Sequence, residues 1–164
     1  MTQPISAAPL AASLPYGGAP VPGIITAGQI TAASLGPLCA AGITRVLDIR
    51  MLAEPRGFDE PTAVRAAGLE YIAVPFTAAT LDDGIFDRVR AVLRDAPQRP
   101  VLFHCATANR VGAALIPYLV LDLHMSREDA MHTAGRVGLR SSDMAQAALE
   151  YVERHGDADP EVAR

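Results

Sequence analysis

The chain contains no lysine and no tryptophan, and aromatic residues fill only 5% of its 164 positions. Each shortage excludes chemistry. Without lysine there is no Schiff-base nucleophile and no P-loop lysine to grip a nucleotide phosphate. The two cysteines, Cys39 and Cys105, cannot by themselves build a disulfide framework or a four-ligand zinc site. His104, His124, His132 and His155 are scattered, with one weak pair eight residues apart, so no metal or cofactor site is expected. The basic residues number 14, all arginine, against 18 acidic ones, and the net charge of −4 comes without a basic block. Nucleic acid is therefore not an expected partner. The longest apolar run covers eleven residues, 111–121, and holds Pro117, too short to span a bilayer. No basic residue precedes Arg45 and five prolines interrupt the first 22 residues, which does not suit a signal peptide. The chain thus reads as soluble and cytoplasmic, free of membrane, with reduced thiols.

What is present is ample apolar material, 50% of the chain, much of it alanine, enough for one domain. Residues 1–22, rich in Ala, Pro, Gly and Ser and uncharged, read as a flexible N-terminal arm. Residues 23–156 read as a single domain and 157–164 as a tail. Within the domain, β-branched or apolar runs predict strands at 24–26, 44–49, 69–74 and 101–103. Helices are expected at 31–41, 61–67, 81–94, 110–123 and 142–155, with Gly42, Gly68 and Gly156 as stops. Ser126 and Asp129 have the spacing of a capping box for another helix. Strand and helix alternate, so the fold class is α/β with a central, mostly parallel sheet flanked by helices.

One segment carries the chemistry. A buried strand ends at His104, Cys105 follows, the short residues Ala106, Thr107, Ala108 and Asn109 form a loop, and Arg110 opens a helix. Backbone N–H groups at a helix N-terminus converge on an anion, and the helix dipole favours negative charge there. The same field favours a thiolate. Arg110 adds a planar, permanently charged fork that suits a tetrahedral oxyanion. Cys105 and Arg110 are thus the candidate catalytic pair, and residues 106–109 the candidate anion cradle. Cys39 reads as packing.

These residues resemble the active-site loop of the protein tyrosine phosphatase-like superfamily. In particular they are similar to the bacterial phosphatase-like domain of β-lactamase hydrolase-like proteins. That domain carries a Gly-Gln segment, a Val-x-Asp-x-Arg…Glu strand and a His-Cys loop in this order. This chain has Gly28-Gln29, then Val46 to Arg50 with Glu54, then the loop from His104 to Ala113. The resemblance implies a dual-specificity or tyrosine-phosphatase-like fold, with Arg50 and Glu54 as a supporting pair. His104 is a further supporting candidate but reads first as a core residue bonded to the backbone. Arg136 and Arg140 could border the pocket but read better as solvated surface.

Three departures shape the functional expectation. Four residues separate Cys105 from Arg110 where phosphatases of the superfamily have five, and Val111 stands where a Ser or Thr follows the Arg. Pro75-Phe76-Thr77 offers no Asp as general acid; Asp82 and Asp83 are the candidates, although both also suit a helix N-cap. A four-residue gap is the size found in rhodanese-like sulfurtransferases. The leading expectation is therefore a sulfurtransferase that forms a persulfide on Cys105 from an anionic donor such as thiosulfate and passes it to a thiol acceptor. The alternative is a phosphatase working through a Cys105 phosphocysteine. A non-catalytic anion-binding module is the third reading.

Overall fold

The computed structural model describes residues 7–156. Five strands form one sheet: β1 (Gly18–Val21), β2 (Ile24–Ala27), β3 (Arg45–Asp48), β4 (Glu70–Ala73) and β5 (Val101–His104). Their spatial order is β1-β2-β5-β3-β4, with β1 antiparallel to β2 and all other pairs parallel. β2, β3 and β5 are buried throughout, which is why none shows a polar–apolar alternation; the ionisable residues Arg45, Asp48 and His104 fall at strand ends.

Alternate residues of these strands face two separate cores. Ile24, Leu47, Val101 and Phe103 pack against α4 (Asp83–Arg94), α5 (Asn109–Pro117), α6 (Arg127–Val137) and α7 (Ser142–Gly156). Ile25, Ala27, Val46 and Leu102 face α1 (Ala7–Ala12), α2 (Leu35–Ala40) and α3 (Glu60–Ala66). From Val111 to Pro117 every residue of α5 is buried. Small side chains at Gly112, Ala113 and Ala114 let neighbouring helices close around it, so the alanine-rich composition does work at this position.

The fold class agrees with expectation. Four parts of the sequence reading differ from the structure. Residues 7–22, expected as a loose arm, form α1 and the edge strand β1, and bury Ala11 and Leu14 in the second core. Burial comes from tertiary partners that an uncharged Ala/Pro-rich stretch does not advertise. The helix expected over 31–41 is a 3-10 turn (Ala32–Ser34) followed by α2. The helix expected over 110–123 passes at Pro117 into a π-helical turn, Tyr118–Asp122, because proline removes one donor of the α ladder. The helix expected at 61–67 begins earlier, with the Asp59 carboxylate accepting from the Thr62 N–H as its cap. The expected tail 157–164 lies outside the described residues, as do residues 1–6 of the arm. Among the described residues no helix is long and apolar enough to cross a membrane.

Candidate active site

The parallel strands β2, β5 and β3 end together, and the candidate site residues Cys105 to Arg110 and Arg50 lie just beyond those ends. In open α/β sheets the crevice beyond the carboxyl ends of the strands is where loops can present free backbone groups. Cys105 follows β5 directly, is 1% exposed, and its N–H donates to the Ala27 carbonyl (3.3 Å). The loop then turns sharply into α5. Among the described residues, the N–H groups of Ala106, Thr107, Ala108, Asn109 and Arg110 donate to no protein acceptor. A turn with several free backbone donors at the start of a helix is what an anion site requires.

The turn is bought with strain at one residue. Ala108 has φ +63°, the left-handed region, which costs a non-glycine residue about 1–2 kcal/mol. Its methyl is fully buried against Gly138, where an added Cβ would lie 2.9 Å from the Ala108 Cβ. Burying that one methyl recovers roughly 0.8 kcal/mol, so packing offsets much of the backbone strain. The Ala106 carbonyl accepts from the Gln29 N–H (3.0 Å), and the Asn109 side-chain oxygen accepts from the N–H groups of Arg140 (2.7 Å) and Ser141 (3.2 Å). Asn109 thus ties the loop to the α6–α7 connection.

Gly28 sits where the loop crosses β2. A Cβ there would meet the Ala106 carbonyl oxygen at 2.6 Å and the Tyr16 ring at 2.9 Å. Gly28→Ala is expected to lower stability by about 1–3 kcal/mol through overpacking and to displace the loop. A thermal melt checks the first effect; a midpoint equal to the parent's counts against so tight a crossing.

Arg110 is held from behind. Its Nη1 and Nη2 donate to Glu54 Oε2 (2.9 Å) and Oε1 (2.7 Å), and Nη1 also donates to the Phe76 carbonyl (3.1 Å). The bond from Arg110, reinforced by the Met51 N–H and Arg50, outweighs partial burial and lowers the Glu54 pKa from 4.5 to about 2. The Arg110 charge faces Cys105 and Glu54 together. Arg50 donates from Nε to Glu54 Oε1 (3.2 Å) and from Nη1 to Gln29 Oε1 (2.5 Å). Arg50 and Glu54, candidates on the strength of resemblance, therefore stand behind Arg110.

His104 turns away from the thiol. Its Nε2 lies 2.6 Å from Glu60 Oε2 and its Nδ1 3.3 Å from the Cys105 carbonyl oxygen. His104, Glu60 and Asp48 are all fully buried, and their donor atoms lie within 4.8 Å of one another. The set has the composition of a metal triad, yet every member has protein partners. Asp48 accepts from Arg56 Nε (2.8 Å), Tyr71 OH (2.6 Å) and the Arg50 N–H (2.9 Å). Burial pushes the Asp48 pKa up, but His104, Arg56 and Tyr71 outweigh it and the net shift is downward. The Tyr71 hydroxyl moves the other way, raised by burial and by its bond to Asp48.

The sequence reading quoted Gln29 and Asp48 only as parts of matching segments and missed Arg56, Glu60 and Tyr71; together these five form a buried to half-buried polar group under the loop. Their separation along the chain hides that they meet, and nothing in the spacing brings Arg56, Glu60 or Tyr71 to Asp48. It also undervalued Arg140, which is exposed but donates to Thr107 Oγ1 (2.8 Å) and lies 5.9 Å over the Tyr16 ring. The candidate acids do not join this group through any hydrogen bond among the described residues. Asp82 caps α4 by accepting from the Ile85 N–H (2.9 Å). Asp83 pairs with Arg154 (2.5 Å) and His155 (3.2 Å) of α7, and Arg154 keeps its pKa low.

No family model and no curated protein matches the chain. In three dimensions it is similar to a DUF442 protein of Shewanella putrefaciens CN-32, with TM-score 0.74 and 17% identity over 90% of this chain and 97% of that one. It is also similar to P. aeruginosa TpbA in complex with pTyr, with TM-score 0.65 and 21% identity over 92% and 96% of the two chains. A human tyrosine phosphatase-like serine/threonine/tyrosine-interacting protein aligns with TM-score 0.69 and 19% identity over 85% and 97%. The chain has the protein tyrosine phosphatase-like fold.

Proposed function

We propose that the chain is a cysteine-dependent phosphatase acting on phosphomonoesters. The observation that carries this reading is the loop from Cys105 to Arg110, in which five backbone N–H groups without protein acceptors share one turn with a guanidinium braced by Glu54. Three non-bridging phosphoryl oxygens match that donor set, and donors fixed before the reaction stabilise the charge that develops on them. The Cys105 thiolate attacks phosphorus, an S–P bond forms and the ester P–O bond breaks, releasing the alkoxide or phenolate, which takes a proton from solvent. Water then attacks phosphorus, the S–P bond breaks, and inorganic phosphate leaves with the thiolate restored. Likeness to TpbA, solved with pTyr, leads us to rank phosphate esters above the sulfur donors that the sequence departures favoured.

Exposed apolar side chains flank the loop. Tyr16 is 56% exposed beside Gly28, and Met51 and Leu52 belong to the turn whose Glu54 holds Arg110. An ester of an aromatic or apolar alcohol fits this rim better than a sugar phosphate. The leaving group also matters because Asp82 and Asp83 are committed to a helix cap and an ion pair. Asp83, held ionised by Arg154, carries no proton to give at neutral pH. With no acid assisting, aryl phosphates are expected to turn over about 10²–10⁴ times faster than alkyl phosphates. Steady-state rates over a series of leaving groups measure this; equal rates for both classes would show that a proton donor is at work.

A second reading, sulfur transfer, draws on three features: only four residues separate Cys105 from Arg110, Val111 follows the arginine, and Asp82 and Asp83 have structural partners. In that case thiosulfate would add one sulfur atom to Cys105 and release sulfite, and the persulfide would pass to a thiol acceptor. Mass spectrometry after thiosulfate treatment distinguishes the two, since a phosphatase leaves the mass of Cys105 unchanged.

A further inference from the structure

We propose that Gln29 is a positioning residue that braces both ends of the anion cradle at once. The inference rests on reading the Cys105–Arg110 loop as an anion site, a reading shared by phosphate and sulfur chemistry. Three groups of Gln29 are engaged in different directions. Its backbone N–H donates to the Ala106 carbonyl (3.0 Å), next to the nucleophile. Its Nε2 donates to Glu60 Oε1 (2.7 Å), and Glu60 in turn meets His104, the residue before Cys105. Its Oε1 accepts from Arg50 Nη1 (2.5 Å), and Arg50 donates to Glu54, which holds Arg110.

The path His104–Glu60–Gln29–Arg50–Glu54–Arg110 therefore runs beneath the loop from its cysteine end to its arginine end. The middle position requires a neutral side chain that donates and accepts at once, and the glutamine amide does both from a single group. One neighbour is a carboxylate and requires a donor; the other is a guanidinium and requires an acceptor. A carboxylate at position 29 would face Glu60 as a like charge, and an ammonium would face Arg50. The bond of Nε2 to the Ile30 carbonyl (2.9 Å) fixes the amide orientation independently. Loss of this bridge frees Arg50 and Glu54 to shift together, and Arg110 shifts with them.

The test compares two alkylating agents of similar size at Cys105 of the full chain, followed by peptide mass mapping. Iodoacetate brings an anion into the cradle, and iodoacetamide brings none. In each reaction the thiolate forms the S–C bond and iodide leaves. The parent protein is expected to favour iodoacetate, and Gln29→Met, which keeps the backbone bond and side-chain volume, to lower that ratio about tenfold. This is modest beside the roughly hundredfold cost of misplacing a positioned group by 1 Å. General loosening of the fold speeds or slows both reagents together and leaves the ratio unmoved. Gln29→Ala removes the same side-chain bonds, keeps the backbone bond, leaves Arg50 on Glu54 and opens room for water; it is expected to give the same fall, which serves if Gln29→Met does not fold. A parent ratio near one, or an unchanged ratio in a folded variant, overturns the proposal. Absence of aryl-phosphate turnover with the ratio behaving as expected counts against phosphatase activity alone.

Discussion

Cys105→Ser is expected to reduce aryl-phosphate turnover by at least about 10⁴-fold, the scale on which loss of a nucleophile is felt when the residues of a site act as a unit. The serine oxygen fits the same space at the end of β5, and the N–H that fixes this position, donated to the Ala27 carbonyl, belongs to the backbone and is retained. A hydroxyl at neutral pH is almost wholly protonated and needs a base to become nucleophilic. Among the described residues none is at hand: His104, the adjacent imidazole, is turned to Glu60. The cradle and Arg110 remain, so inorganic phosphate should still bind. Rates with a fluorogenic aryl phosphate, alongside phosphate binding by calorimetry, check both halves. Residual turnover within tenfold of the parent would remove Cys105 from the mechanism.

Arg110→Lys is expected to cost about 10²–10³-fold in kcat/KM, the loss typical of one strong donor in an anion site. Lysine keeps the charge but loses the fork. Two parallel bonds to Glu54, one bond to the Phe76 carbonyl and the face turned to Cys105 cannot be satisfied together by a single ammonium. A kcat/KM within threefold of the parent would mean that charge alone suffices. The same pair carries a pH signature. The Glu54 carboxyl, at about 2 in the folded chain against an ordinary value of 4.5, stabilises the fold fully above 4.5. That contribution is lost as pH falls from there through about 2. In Glu54→Gln it is absent at every pH, so the stability gap between parent and variant should narrow in denaturant titrations as pH falls from 5 to 2. A constant gap over that range would separate Glu54 ionisation from stability.

The α/β class, the strands β2 to β5 and most helices were legible because strands leave short β-branched or apolar runs between turn residues and helices leave caps and stops. Cys105, Arg110 and the loop between them were legible because one strand–loop–helix turn carries them all in sequence. Glu54 and Arg50 were reachable only through resemblance, since nothing in their spacing aims them at residue 110. Strand β1 was not legible: an uncharged Ala/Pro-rich segment has no periodicity, and β2 decides its pairing.

Sequence alone determined the chemistry on offer: one thiol and one guanidinium at the mouth of a helix, with no lysine or second cysteine nearby to compete. Tertiary structure decided how those groups are held. It joined Gln29, Arg50, Glu54, Glu60 and His104 into one path and assigned Asp82 and Asp83 to structural partners. The physical reason is range. Backbone pattern is local and is written residue by residue, whereas a buried charge is satisfied by whichever partners the sheet order brings beside it.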